Sequence, residues 1–211
     1  GATPRAFFLA LSLPRAEARF LEGFARGLFK LADAHGIALA GGDTTAGPLN
    51  VCITVMGEAP QGQALLRSGA RPGDELWVSG TLGDARLALE VFRGTQGLAG
   101  DAFAQVRRAM ELPQPRVALG QALRGIASSA IDVSDGLMGD LGHVLKASGV
   151  GATIDFEALP RSAVLAGQDL ALQQACLLAG GDDYELVFTA PPQRHQAVLD
   201  AAARAGTPVR C

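Results

Sequence analysis

Hydrophobic positions in the first third of the chain alternate between strand-like and helix-like spacing. An apolar run over residues 7–13 predicts a buried strand. Four apolar residues recur at three- and four-residue steps and predict one face of a helix, namely Leu21, Phe24, Leu28 and Leu31. A short strand is predicted over residues 37–40, directly before the segment Gly41–Thr45, and residues 51–56 alternate as a strand does.

The remaining chain interleaves predicted strands and helices. A Gly-, Pro- and polar-rich stretch, residues 59–74, predicts a domain boundary near Gly62, with domains over residues 1–61 and 62–211. Strands are predicted at residues 75–79, 130–133, 150–155 and 185–189. Helices are predicted at residues 84–92, 115–123, 137–147, 169–178 and 191–205, with a flexible loop at 93–100. This order indicates a mixed α+β and α/β fold class.

The composition of the chain argues against two classes of partner, nucleic acid and membrane. The formal net charge is -3 and no block of Lys or Arg occurs, so the electrostatic footprint of a nucleic-acid-binding protein is absent. No apolar stretch reaches the length of about 18 residues that a membrane-spanning helix needs, so we expect no membrane partner. The three cysteines are scattered and form neither a disulfide framework nor a metal-ligand pattern, which favours a cytoplasmic location.

Gly41–Thr45, with the sequence GGDTT, is the first candidate site. Glycines allow a backbone to approach a phosphate closely and expose its N–H groups. The carboxylate of Asp43 suits Mg²⁺, which takes oxygen ligands and bridges to phosphate oxygens. Gly, Asp and Thr are also turn-forming residues, so a plain turn stays an alternative.

Residues 131–136, with the sequence IDVSDG, form the second candidate site. Asp132 and Asp135 flank Ser134 where a predicted strand passes into a predicted helix, so two carboxylates can converge on one ion or on neighbouring ions. Helix capping is the alternative for Ser134 and Asp135. Capping does not explain Asp132, which follows an apolar strand.

Residues 180–185 place three acids within four residues, Asp182, Asp183 and Glu185. Because like charges repel, a cation or a cationic ligand is a reasonable guest, although a solvated loop is the alternative. Arg67 is a candidate phosphate contact in the polar linker, or else a surface charge. The chain contains no GxxxxGK[ST], GxSxG or CxxC motif, so P-loop, serine-nucleophile and dithiol chemistry lack support.

In this order the segments resemble the thiamine-monophosphate kinase family. The resemblance rests on residues 41–45, 67–74, 78–85, 131–136 with Asp140 and Leu141, and 180–186, and it spans essentially the whole chain. It implies a two-domain fold resembling aminoimidazole ribonucleotide synthetase, with an α+β N-terminal and an α/β C-terminal domain. The family's first Gly-Asp-Asp motif should precede Gly1, so we expect both domains to be incomplete, at opposite ends.

The resemblance also implies the chemistry. ATP and several Mg²⁺ ions would convert thiamine monophosphate to thiamine diphosphate by direct phosphoryl transfer, in a homodimer that pairs two N-terminal sheets. By motif matching, the metal ligands would be Asp43, Asp132 and Asp135. These three acids and Arg67 would be the catalytic residues. The ATP contacts would be Gly42, Asp43, Thr44, Arg67 and Ser134. The loop residues Asp182 and Asp183 would face thiamine monophosphate.

One departure and two alternatives accompany the resemblance. The family usually has Glu where this chain has the shorter Asp182. The alternatives are a related ATP-dependent synthetase of the same superfamily and a nucleotide-binding module without catalysis. Retention of Asp43, Asp132 and Asp135 together favours an enzyme over the second alternative.

Overall fold

Three strands and one helix form the first of two units in the computed structural model, which describes residues 1–211. This short unit covers Ala2–Gly62, and the long unit covers Gln63–Cys211 together with Gly1. The domain limits expected from composition stay a prediction for the whole protein. The elements of the short unit are β1 (Thr3–Leu13), α1 (Ala18–Ala34), β2 (Ala38–Ala46) and β3 (Asn50–Glu58). Strand β1 lies between β2, to which it is parallel, and β3, to which it is antiparallel.

The GGDTT segment lies inside strand β2, so the expectation that it follows a strand was wrong. Its residues pair in register with Phe8–Ser12 of β1. The glycines make this pairing possible: a side chain at Gly42, whose φ is +148°, would place Cβ only 1.9 Å from the carbonyl oxygen of Leu9. Close approach of the two backbones therefore outweighs the turn preference of Gly, Asp and Thr.

The sheet of the short unit leaves much apolar surface exposed. Strand β1 buries Phe7, Leu11 and Leu13, whereas every residue of β2 and β3 is exposed. The exposed large apolar side chains of these two strands are Leu39, Val51, Ile53, Val55 and Met56. Contiguous apolar surface of this kind marks a place where protein packs against protein.

The long unit contains a four-stranded sheet and seven α-helices. Its strands are β4 (Glu75–Ser79), β5 (Ser129–Val133), β6 (Glu185–Ala190) and β7 (Val209–Arg210), arranged in the order β5-β6-β4-β7 with antiparallel neighbours. Its helices are α2 (Asp84–Phe92), α3 (Gly100–Glu111), α4 (Val117–Ala122), α5 (Leu137–Ser148), α6 (Ala163–Ala166), α7 (Leu170–Ala179) and α8 (His195–Ala205). None of the helices is long and apolar enough to span a membrane.

Helices cover both faces of this sheet. Successive side chains of a strand point to opposite faces, so neighbouring residues pack into different clusters. Trp77 and Phe188 belong to one apolar cluster with residues of α4 and α8. Their chain neighbours Val78 and Val187 belong to a second cluster with residues of α2, α3, α5 and α7. The helices on either face thus fix the sheet whose strand ends carry the candidate residues.

In the long unit one predicted strand was wrong, and helix α3 was not predicted. Residues 150–155 form no strand: Val150 and Ile154 pack on the second cluster, but no neighbouring strand pairs with this segment. The predicted flexible loop ends at Gly100, which is already the first residue of helix α3. The spacing of Phe103, Val106 and Met110, which also pack on the second cluster, is the helical signal that was overlooked.

Candidate functional site

Two backbone hydrogen bonds join the IDVSDG turn to the acidic loop before β6. The N–H of Asp182 donates to the carbonyl oxygen of Ser134, and the N–H of Tyr184 donates to that of Val133, both at 2.9 Å. Gly181 lies so close that an added Cβ would stand 2.4 Å from the Ser134 carbonyl oxygen. The fold therefore brings the second and third candidate segments into direct contact.

Three exposed acids stand along the joined loops, Asp132, Asp135 and Asp182, and we call them the outer carboxylates. All three act on the phenol of Tyr184, whose hydroxyl donates to Asp182 Oδ1 at 3.2 Å. Burial raises the pKa of Tyr184, and the Asp182 carboxylate and the charges of Asp132 and Asp135 raise it further. The phenol of Tyr184 therefore lies within electrostatic reach of all three acids.

The backbone of the acidic loop is strained where it presents these groups. Asp182 and Tyr184 have φ values of 66° and 51°, in the left-handed region that non-glycine residues seldom adopt. Each such residue costs on the order of 1–3 kcal/mol and persists only when its surroundings impose it. Here the two backbone bonds to the IDVSDG turn impose it, which is typical of a functional loop.

Beneath the outer carboxylates, Asp140 fixes the turn itself. This residue lies in the first turn of α5 and is 3% exposed. Its Oδ2 accepts hydrogen bonds from the backbone N–H groups of Ser134, Asp135 and Gly136 at 3.0, 3.0 and 3.1 Å. The turn that carries two outer carboxylates is thus bound to one buried carboxylate.

Asp183 turns inward, away from its neighbour Asp182. Its carboxylate accepts from the N–H of Gly83, with oxygens at 3.0 and 2.9 Å, at the start of helix α2. Burial, helped by the charge of nearby Asp84, raises the pKa of Asp183 to about 7 even though the Gly83 bond favours the ionised form. The predicted contact of Asp183 with substrate stays a prediction, while the observed contact is structural.

Glu185 forms a buried ion pair at the start of β6. Its carboxylate accepts from Arg116 Nε at 2.7 Å and from the hydroxyl of Ser79 on the neighbouring strand β4. The hydrogen bond from Arg116 to Glu185 raises the pKa of the guanidinium. We refer to Asp140, Asp183 and Glu185 as the inner carboxylates, because each is satisfied by partners within the protein.

Arg67 has a fixed backbone and a free side chain. The hydroxyl of Ser148, the last residue of α5, accepts from the N–H of Gly69 at 3.1 Å and donates to the carbonyl oxygen of Arg67 at 3.4 Å. The exposed guanidinium of Arg67 makes no hydrogen bond or ion pair. It is therefore available to an anionic ligand.

Gly42, Asp43 and Thr44 lie in β2 of the short unit, and all are exposed. Asp43 Oδ1 accepts from the N–H of Thr44 at 2.9 Å. The predicted site residues therefore fall into two sets, one in each unit. Within the long unit the structure brings Asp132, Ser134, Asp135, Asp182 and Asp183 together.

The donor chemistry fits magnesium. No three Asp, Glu, His or Cys side chains among the 211 residues form a complete metal cluster. Magnesium, however, is usually held by one or two carboxylates, with water and phosphate oxygens completing its octahedron. Asp132 and Asp135 meet that requirement, because neither carboxylate makes a hydrogen bond or ion pair within the chain.

Sequence reasoning missed the distinct roles of Asp140 and Tyr184. The signal for Asp140 was an acid in the first turn of a helix, where a side chain can reach back to preceding N–H groups. Tyr184 carried no comparable signal, since its position depends on long-range bonds to β5.

Comparison with known proteins adds family models and relatives. The model of the AIR synthase related protein, C-terminal domain, matches residues 71–210, and that of the N-terminal domain matches residues 1–59. The sequence is 44% identical over 214 residues to the thiamine-monophosphate kinase of Salmonella typhimurium. That match covers 100% of this chain and 66% of the Salmonella protein, so the chain spans just under two thirds of its relative's length.

Two solved structures are similar to the fold. The crystal structure of thiamine-monophosphate kinase from Stenotrophomonas maltophilia K279a has a TM-score of 0.94 and 44% identity, covering 99% of this chain and 68% of that chain. The structure of AaThiL complexed with AMPPCP and TMP has a TM-score of 0.82 and 30% identity, covering 92% of this chain and 64% of that chain.

Proposed function

Because this chain belongs to the AIR synthase related family, and within it to the thiamine-monophosphate kinases, we propose that the protein uses ATP to phosphorylate thiamine monophosphate to thiamine diphosphate. One observation in the structure supports the proposal most strongly: the outer carboxylates Asp132, Asp135 and Asp182 are exposed on two chain segments that backbone hydrogen bonds join. The complex of AaThiL with AMPPCP and TMP supports the choice of ligands.

Charge repulsion is the main obstacle to this reaction. The acceptor is a phosphate monoester oxygen, ionised near neutral pH, so no strong general base is needed. The difficulty is to bring the acceptor phosphate and the ATP triphosphate together, because unit charges 4 Å apart interact by about 4 kcal/mol at an effective dielectric near 20. The protein must therefore align two anions and offset their charge.

Different candidate residues have different proposed parts in aligning the two anions and offsetting their charge. Asp132 and Asp135 hold magnesium, which neutralises phosphate charge when bound. Arg67 adds a positive charge from the linker, and Ser134 contacts ATP beside the two acids. In the short unit, Asp43 is the proposed metal ligand, and Gly42, Asp43 and Thr44 are the proposed nucleotide contacts. The Asp182–Asp183 loop faces thiamine monophosphate, with Asp182 as its exposed member.

The test is thiamine diphosphate formation by the whole protein in saturating Mg-ATP. We expect one ADP for each thiamine diphosphate, and no ADP release with selenide or aminoimidazole precursors as acceptors. Turnover of either of those precursors, with none of thiamine monophosphate, would assign the protein to a sister synthetase. ATP binding without any turnover would assign it to the non-catalytic modules.

We extend the proposal to a homodimer in the cytoplasm. The exposed apolar residues of β3, with Val55 at 63% and Met56 at 54%, support pairing of two short units through their sheets. The three cysteines form no disulfide, in keeping with a reducing compartment. Sedimentation equilibrium of the whole protein should give twice the monomer mass, and Val55→Lys should lower it. A monomeric wild-type protein would contradict the pairing.

A further inference from the structure

Asp140 is separated from the outer carboxylates by the backbone that it binds. It is buried, it lies on α5, and its Oδ2 accepts three successive backbone N–H groups, those of residues 134–136. Hydrogen bonds from N–H groups to an ionised carboxylate are among the stronger ones in proteins. Rotation of any peptide in this turn would break at least one of them.

A helix-end charge effect does not account for this arrangement. Helix α3 also has an acid in its first turn, Asp101, but that residue is exposed and makes no hydrogen bond. The N-cap residue of helix α5 is Gly136, which provides no capping side chain. Asp140 thus reaches back past the helix start and binds the turn that contains Asp135.

The turn matters because one free carboxylate lies just before the residues that Asp140 binds and the other lies among them. Asp132 precedes the residues that Asp140 binds, and Asp135 is one of them. The acidic loop is in turn bonded to the carbonyl groups of Val133 and Ser134. Fixing the turn therefore fixes the spacing of Asp132 and Asp135. It also fixes the carbonyl group to which the N–H of Asp182 donates.

We propose that Asp140 is a positioning residue that holds Asp132 and Asp135 in a metal-ready arrangement before any ligand binds. This inference rests on the proposed function for the identity of the ligand, Mg-ATP. A preformed site does not have to order its ligands on binding, so its affinity is higher. Groups that orient metal ligands typically contribute 10- to 100-fold to metal affinity or activity.

The test compares the whole protein with Asp140→Asn, and with Asp101→Asn as the matched control. Asn keeps the size of the side chain but removes the charge that binds the three N–H groups. We expect the dissociation constant of Mn²⁺ in the presence of AMPPCP, followed by electron paramagnetic resonance, to rise roughly tenfold in Asp140→Asn. Asp101→Asn should leave it unchanged.

Amide hydrogen exchange supplies a second readout that needs no turnover. In the metal-free wild-type protein, the N–H groups of residues 134–136 should already be protected. In Asp140→Asn these amides should exchange at least about tenfold faster, whereas amides of β4 and β6 keep their rates. Because this readout includes the wild-type protein, it remains decisive even if the variant folds poorly.

Three outcomes would overturn the proposal: unprotected amides at residues 134–136 in the metal-free protein, an unchanged Mn²⁺ dissociation constant, or uniformly faster exchange across the long unit. The last would show a merely structural role. Failure of the proposed function has a different signature: the wild-type protein would form no thiamine diphosphate, while the exchange difference at residues 134–136 would persist.

Discussion

The outer and inner carboxylates lie in or next to the same two loops, yet they differ in exposure and in internal partners. Asp182 and Asp183 are chain neighbours; the first is exposed, whereas the second is turned onto the backbone of Gly83. Asp135 is exposed, while its backbone N–H donates to the buried carboxylate of Asp140. The comparison teaches that acids close together in a sequence can divide into exposed acids that are available to a ligand and less exposed acids that are bonded within the protein.

The two sets should respond differently to substitution. A buried acid with partners inside the protein contributes to folding, and its removal leaves those partners unsatisfied. An exposed acid without partners contributes little to folding, so a loss of activity on its removal reports ligand binding. Each prediction below tests one side of this division.

The largest expected effect is on stability, at the inner carboxylate Glu185. Glu185→Ala should lower the free energy of unfolding by about 3–5 kcal/mol, because it leaves Arg116 charged and unpaired in a partly buried position. Denaturant unfolding of the whole protein measures this. The control is Glu111→Ala, which breaks an exposed pair with Arg107 and should cost about 0–1 kcal/mol. Equal costs would remove the distinction.

The next effect is on turnover, at the outer carboxylate Asp132. Asp132→Asn should lower kcat roughly a hundredfold, since the magnesium ion that would neutralise the transferring phosphate loses a carboxylate ligand. Its free energy of unfolding should change by less than about 0.5 kcal/mol, because the side chain is exposed and has no partner. Near-normal kcat at modest magnesium concentration would contradict the ligand role.

The third effect is a pH dependence of stability at Asp183. The fold raises its pKa from 3.8 to about 7, so between these values the folded protein keeps a proton that the unfolded chain has lost. Stability is therefore full below about pH 4 and falls as the pH rises toward 7, by at most about 1.4 kcal/mol per pH unit for one group.

Asp183→Asn should flatten that decline, although burial also raises the pKa of Asp84. Asp182→Asn, one residue away and exposed, should keep the wild-type slope. Urea unfolding at several pH values between 5 and 8 provides the comparison. A wild-type slope in Asp183→Asn would show that the inner position of this carboxylate has no energetic consequence.

The smallest effect concerns Arg67, a cation without an internal partner. Arg67→Ala should raise the KM for ATP roughly tenfold, as expected for loss of one charged hydrogen bond, and leave the KM for thiamine monophosphate unchanged. Arg108→Ala, an exposed arginine on α3, serves as the control. An unchanged KM for ATP with a raised KM for the other substrate would reverse the assignment.

Local patterns predicted the elements that bury a regular face. Strands β4, β5 and β6 and helices α2, α5 and α7 lie where apolar spacing predicted them. The failures were segments decided by distant partners. Gly41–Thr45 has turn composition but pairs with β1, and residues 150–155 have strand-like composition but no neighbouring strand. The presence of a distant partner strand in the first case, and its absence in the second, decided the outcome against local propensity.

The candidate site also contains residues that a local pattern indicates and residues whose roles depend on distant partners. The sequence pointed to Asp132, Asp135 and Asp182, since Gly and Asp beside strand ends are a local signal. It did not separate Asp182 from Asp183, because the partner of Asp183 is Gly83, one hundred residues earlier. Nor did it predict the contact of Asp140 with three backbone N–H groups, which requires the fold of the turn.

The most direct measurement is the affinity of Mn²⁺ for the whole protein with AMPPCP, compared between wild type and the double variant Asp132→Asn, Asp135→Asn. Mn²⁺ accepts the same oxygen ligands as Mg²⁺ and is visible by electron paramagnetic resonance. The account predicts affinity at least tenfold weaker in the double variant, with an unchanged free energy of unfolding. Wild-type affinity in the double variant would contradict the claim that Asp132 and Asp135 hold the metal.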